Sequence, residues 1–383
     1  MTPRLTRTLP TWTLVLAALL AWGIAGFLTL HWGGTADLDL RVYRDAEQHL
    51  AGGNTYAMHF TATHLRFTYP PFALLLLSPL AVVPVVPLEV AWWFLSEASL
   101  VTLGYLALTA ATRFRGRRAL AVAALIGAVA QCALEPLRSN AGFGQINVLL
   151  MLLVVTDLTR LRSPWRGLLV GLAAAVKLTP LLYLAYFLVA RDLRSAMRGA
   201  GAFLGSVALA WIVLPSDSLR YWLHQVARPQ HTGNVNYVSN QSWLGLVHRV
   251  PFNADRLGMA LWCLLEAATL IAGIVAASRL VRLDRSIDAL LALALTELLI
   301  SPISWSHHWS WLVLVPIVMI GRYEKGRRVS VAMLLVLAVA VAKPYWWNLS
   351  GWSGALADDS LLLAGAILLA SLTRTAVLLT PAT

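Results

Sequence analysis

The sequence predicts an all-α polytopic membrane protein, a single integral-membrane domain over residues 1–383. Three observations predict it. Of its residues 58% are hydrophobic and 13% charged, far from the composition of a soluble globular chain. Apolar runs, several near the ~20 residues that cross a hydrocarbon core, recur from end to end. Short arginine clusters separate them, as in loops held at a cytoplasmic face. The formal charge of +12 is scattered among these loops, not gathered in one patch, which argues against nucleic acid as a partner. Cys132 and Cys263, the two cysteines, both lie in apolar segments and point to neither a disulfide framework nor a cysteine metal site.

The first run, residues 11 to 31, follows Arg4 and Arg7. It exceeds a signal-peptide core and more membrane follows it, so it reads as an uncleaved anchor with its N-terminus inside. Basic clusters at 113–118, 160–166, 191–198, 279–285 and 322–328 mark the cytoplasmic side. Between them spans are expected near 89–111, 119–134, 146–159, 199–215, 258–278, 287–303, 309–321, 329–342 and 360–379. With the anchor these give about ten crossings and two cytoplasmic termini. Two apolar stretches, 71–87 and 167–190, do not fit as simple crossings. The second has an arginine cluster on each side and reads as a hairpin of broken helices turning at Lys177, Thr179 and Pro180, backbone that must line a protein cavity. Of the 30 Lys and Arg, 20 fall on the cytoplasmic side, 9 outside, and Lys177 alone within the membrane. The polar segments at about 32–70, 216–257 and 343–359 all fall outside, which places the chemistry there.

Asp37, Asp39, Asp45 and Glu47 crowd the first outside segment, where Val42, Ala46 and Leu50 share one helical face. They read either as a solvated acidic face or, for Asp39 at the foot of the anchor, as a general base aimed into a cavity. Tyr69 precedes Pro70 and Pro71, a pair that fixes an extended turn before a membrane segment. Gln145 and Asn147 stand at the mouth of a span, to bond neighbouring helices or a substrate. An ammonium in hydrocarbon costs about 2.5–3.5 kcal/mol, so Lys177 is a candidate functional residue with phosphate as its natural partner. Asn240, Gln241 and Arg249 add donors, Arg249 toward a phosphate or a lipid headgroup. His307 and His308, in SPISWSHHW, lack zinc-protease spacing and read as phosphate donors or proton carriers. Asp358 and Asp359 read as a solvated loop. No carboxylate cluster demands a metal, so no cofactor is expected to be required, a divalent cation remaining compatible with the fold class.

DLRVY at 39–43, FTYPPFALLLLSPLA at 67–81, GQINVLL at 144–150, GLAAAVKLTPLLYL at 171–184, NQSWLGLVHR at 240–249 and SPISWSHHW at 301–309 carry a likeness. In this order, over most of the chain, they resemble glycosyltransferase family 87, the polyprenol-phosphate-mannose-dependent mannosyltransferases. The segment after NQS reads WLG where relatives of that family favour a further polar residue, so acceptor contacts there are expected to differ. The resemblance implies a GT-C architecture, a site on the extracytoplasmic face, a polyprenyl-phosphate-mannose donor and a lipid or glycan acceptor in cell-envelope synthesis. It implies a catalytic aspartate at Asp39 and a catalytic histidine at His307 or His308, with His308 favoured.

The residues suit that chemistry on their own terms. A polyprenyl phosphate leaves as an anion and needs no strong general acid, so one base suffices. Asp39 would take the acceptor proton while Lys177, one histidine and Arg249 stabilise charge on the phosphate, with inversion at the anomeric carbon. Two rivals stand beside this expectation. A related enzyme using another lipid-linked sugar, such as arabinose, is not distinguished by the residues. A transporter of lipid-linked sugar would also use broken helices and a membrane lysine, although no internal repeat is evident.

Overall fold

Short arginine-bounded apolar runs become helices throughout the described residues. The computed structural model describes residues 10–32, 37–60, 64–162, 164–228, 231–250 and 256–379; Arg4 and Arg7, which oriented the anchor, lie outside them. The first apolar run forms α1 (Thr11–Trp32). The amphipathic α2 (Leu38–Gln48) follows and buries Leu40, Val42, Tyr43 and Ala46. Pro71 supplies the preset φ of a first turn for α3 (Pro71–Leu77), which runs into a 3₁₀ turn at Ser78–Val82. These two short pieces account for the stretch that fitted no crossing. Next come α4 (Val85–Ala111) and α5 (Gly116–Ala133), with α1 packed along α5. The helices α6 (Glu135–Gly142) and α7 (Asn147–Thr159) meet at 115°.

The stretch around Lys177 splits into α8 (Leu168–Val176), a 3₁₀ turn at Thr179–Tyr183 and α9 (Leu184–Val189). Its two ends lie together: the Arg166 guanidinium sits 5.5 Å over the Phe187 ring and 3.8 Å from Asp192. The chain therefore enters and returns at one level, with Lys177 at the break. Then follow α10 (Leu193–Val213), α11 (Pro215–Arg220), α12 (Trp243–Arg249), α13 (Arg256–Arg282) and α14 (Ser286–Ile300). A 3₁₀ segment at Ser306–Val313 carries both histidines into α15 (Leu314–Glu324). The chain closes with α16 (Val331–Ala342), α17 (Gly351–Asp358) and α18 (Ser360–Leu379). Apart from two isolated bridge pairs, no strand occurs among the described residues.

Helix α14 is apolar except near its two ends, where Asp288 and Glu297 lie, and is buried along nearly its whole length, so it forms the axis on which α13, α18 and the 3₁₀ segment pack. By contrast α13 leaves Leu257, Leu264 and Ile271 uncovered at heptad spacing, a stripe suited to lipid. Among the described residues five helices are long and apolar enough to span a membrane: α4, α5, α10, α13 and α18. A sixth arises if α6 and α7 form one broken span. This is fewer than the ten crossings the apolar runs suggested. The reason is length: α14 has 15 residues and α16 has 12, about 22 and 18 Å of rise against a core of about 30 Å.

Close backbone contact fixes the hairpin that carries Lys177. A Cβ on Gly171 would stand 2.1 Å from the Gly199 carbonyl oxygen, so α8 and α10 touch through bare backbone. Gly171→Val is expected to lower stability by about 1–3 kcal/mol or more, because backbone must move to admit the side chain. Thermal unfolding in detergent checks this, with Gly201→Ala, where a Cβ meets open space, expected to leave the midpoint unchanged.

Candidate active site

The first half of the site is made where α2 docks on the turn between α6 and α7. The amides of Asp37 and Asp39 donate to the carbonyls of Gly142 and Phe143 at 3.0 Å each. Gly144 sits at φ +66°, and a Cβ there would lie 2.7 Å from Leu40 Cβ. Only glycine permits this approach and this backbone together. It brings Gln145 to Asp39: the amide Nε2 donates to Asp39 Oδ2 at 2.6 Å. The Gln145 oxygen accepts from the hydroxyls of Tyr69 at 3.0 Å and Tyr43 at 3.4 Å. Those two hydroxyls lie 2.9 Å apart, and Tyr56 donates to the Tyr69 carbonyl at 2.6 Å. Burial raises the Asp39 carboxyl from its usual 3.8 to about 6, opposed by the Gln145 hydrogen bond and the charge of Lys177.

The second half forms where α8 stops. Lys177 ends it in extended backbone, and Pro180 enforces the break. Its Nζ donates to Asn147 Oδ1 at 2.7 Å, lies 3.2 Å from His308 Nε2, and sits 5.3 Å over the Tyr69 ring. Asn147 is held by its own amide, which donates to Asn140 Oδ1 at 3.1 Å. Lys177, Asn147 and His308 line an open cavity with about 340 Å³ of empty space counting the solvent at its mouth, together with Thr179, Glu297 and Trp311. Gln145 and Asn147 are two residues apart, and Tyr69 touches both Gln145 and Lys177. The carboxylate and the ammonium thereby lie on either side of the Tyr69–Gln145 pair, brought there by separate elements.

The two histidines part company. His308 turns its Nε2 to Lys177 in the cavity. His307 is buried, with its ring 5.2 Å from Phe143 and its Nε2 without a partner.

The large outside loop does other work. Gln241 accepts from the amides of Leu361 and Leu362 at 3.1 and 3.0 Å, binding the start of α18. Asn240 accepts from the Ser304 amide at 2.8 Å and donates to the Pro302 carbonyl, holding the chain just before the histidines. Arg249 pairs with Asp359 and donates to the carbonyls of Asn240 and Tyr237. Its guanidinium is engaged in this internal lock and does not line the Lys177 cavity. Asp359 is correspondingly buried, not the solvated loop residue expected, because an ion pair removes the need for water.

Sequence reasoning passed over Glu297, Tyr43 and Asn140. Glu297 accepts from the Tyr183 hydroxyl at 2.5 Å and faces the Lys177 cavity. The rule that singles out a charge in an apolar run would have found it in LTELLI. Tyr43 carried no signal, since an interfacial tyrosine is ordinary. Among the described residues no group of three His, Cys, Asp or Glu side chains is placed to hold a metal ion.

The model of glycosyltransferase family 87 matches residues 67–302, which include Tyr69, Gln145, Asn147 and Lys177. The chain belongs to glycosyltransferase family 87. Two relatives carry the name polyprenol-phosphate-mannose-dependent alpha-(1-2)-phosphatidylinositol mannoside mannosyltransferase. The protein from Mycobacterium tuberculosis is 34% identical over 88% of this chain and 81% of its own length. The one from Mycolicibacterium smegmatis is 35% identical over 86% and 82%. A pentamannoside mannosyltransferase of M. tuberculosis is 33% identical over 79% and 73%. This family 87 protein is thus a membrane glycosyltransferase, an α-mannosyltransferase by its kinship with these enzymes.

Proposed function

We propose that the protein moves mannose from polyprenyl-phosphate-mannose to a phosphatidylinositol-mannoside type of lipid acceptor, with inversion, on the extracytoplasmic face. The observation that carries this reading is the placement of Asp39 and the Lys177–His308 pair on either side of Tyr69 and Gln145. A base and a phosphate-binding cation are what such a transfer needs, and they come from distant parts of the chain. The relatives' names supply the donor and the acceptor class. The same reading includes a GT-C architecture with about ten crossings and both termini cytoplasmic, in which the helices shorter than the ~30 Å core cross by local thinning of the bilayer and with the short turns that extend them.

In this mechanism the acceptor hydroxyl gives its proton to Asp39 as its oxygen attacks the anomeric carbon. The bond from that carbon to the phosphate oxygen breaks on the opposite side, and the polyprenyl phosphate leaves as an anion. Lys177 meets the charge that develops there, and Asn147 Oδ1 and His308 Nε2 accept from the ammonium and keep it in position. Gln145 orients the base.

Transfer of labelled mannose from synthetic polyprenyl phosphate mannose to phosphatidylinositol mannosides, with GDP-mannose and a lipid-linked arabinose as parallel donors, tests the reading. Label from the mannosyl lipid alone supports it; label from either other donor, or none from folded protein, sinks it. The pH profile adds a second check. A base acts only when ionised, and Asp39 ionises near pH 6. The rate kcat/KM is therefore expected to fall about tenfold per pH unit below about 6 and to be level above it until another group titrates. His308→Ala is expected to lower turnover about 10-fold or more, since the Lys177 ammonium loses an acceptor that aims it at the phosphate. A smaller loss than for His307→Ala in matched kinetic assays would reverse the assignment of the two rings.

A further inference from the structure

Helix α14 has a cavity at each end. Glu297 faces the one with Lys177; Asp288, nine residues earlier and about 14 Å away along the axis, faces another that opens to solvent, with about 340 Å³ of empty space counting the open solvent at its mouth. The second cavity is walled by the end of α4 at Ala111, the start of α14 and the end of α15 at Arg322. Its charged lining is Asp284, Arg285, Asp288, Arg322, Lys325 and Arg327, four cations against two carboxylates. The basic runs that follow α4, α13 and α15 meet here, with the Arg113 amide donating to Glu324 at 2.7 Å.

The floor of this cavity is under-satisfied. One carboxylate, Asp288, serves two guanidinium groups: Arg285 pairs with it and Arg322 lies 3.3 Å from it. Arg285 Nη1 and Arg322 Nε remain buried with no partner, on residues only 5% and 6% exposed. Buried donors without acceptors cost about 1–3 kcal/mol each, more when charged. No side chain caps α14 at its start beside them, where the amides and the helix dipole favour an anion. Lys325 and Arg327 stand exposed at the rim.

We propose that this second cavity binds a phosphate group, presented by the headgroup of an anionic phospholipid or by free phosphate. Phosphate oxygens match the forked donors of the two arginines and supply the negative charge that Asp288 alone does not. A basic pocket between membrane helices at the level of the headgroups is where such a lipid is held.

The test uses the full chain in nanodiscs of phosphatidylcholine, titrated with phosphatidylglycerol and read by native mass spectrometry, with Lys325→Glu/Arg327→Glu beside wild type. Both rim side chains are exposed, so the fold is retained. The expected result is at least 10-fold weaker phosphatidylglycerol binding in this variant. Arg191→Glu/Arg194→Glu, exposed and basic but outside the cavity, is expected to stay within twofold of wild type. Displacement of the lipid by millimolar inorganic phosphate would identify free phosphate as a sufficient ligand; retention of the lipid against it would identify the headgroup. Equal binding in the rim variant, equal loss in the control, or no binding of either ligand overturns the proposal and leaves the arginines as a lock between α14 and α15.

Discussion

Asp39→Asn is expected to lower kcat by about 10²–10⁴-fold, the range lost when a general base is removed, with KM for the donor nearly unchanged. The substitution is almost isosteric. The asparagine oxygen still accepts from Gln145, and the docking of α2 on the α6–α7 turn runs through backbone amides and Gly144, which the change does not touch. The fold should therefore survive, and unfolding midpoints of the two proteins should agree within a few degrees. Single-turnover kinetics with labelled donor measure the effect. A loss under tenfold would mean that another group takes the acceptor proton, and Asp37, which burial likewise raises to about 6, would be the next candidate.

Lys177→Met carries the second large effect, a loss of about 10²–10³ in kcat together with weaker binding of the polyprenyl phosphate product. Methionine keeps the length of the side chain and its apolar stem but removes the charge. The ammonium is the one group in contact with Asn147, His308 and the Tyr69 ring at once, so its loss removes the cation and loosens the groups around it. Stability is expected to change little, because the avoided cost of a cation away from water offsets the donor that Asn147 loses and the nearby charge that the cavity carboxylate Glu297 loses. A drop in the melting midpoint with product affinity intact would make Lys177 a structural residue. Lys177→Arg should not restore the rate, since a planar fork cannot occupy the place of a compact ammonium bonded on two sides.

The candidate site was legible in the sequence where a residue broke a local rule. Lys177 is a charge inside an apolar run, and the Pro180 behind it forbids a continuous helix. Asp39, the tyrosine before two prolines, the amides at a helix mouth and the histidine pair each stood out by their position against a span. What the sequence left open was which of these meet. Arg249 had the chemistry of a phosphate ligand, but Asp359, 110 residues away, claims it. Glu297 looked like part of a helix interior until the bundle turned it toward Lys177.

Arginine-punctuated apolar runs, by themselves, determined that this protein is helical and embedded in membrane, and motif order determined its kinship. Both are properties of short stretches: a run either can or cannot leave water, and a glycine such as Gly144 either does or does not permit a positive φ. Tertiary structure decided which helices are long enough to span, that α14 is the buried axis, and that His308 and not His307 faces the lysine. The physical reason is that adjacent residues in a 3₁₀ segment point about 120° apart. Which of the two looks into a cavity depends on where Phe143 and Lys177, contributed by other helices, have come to rest.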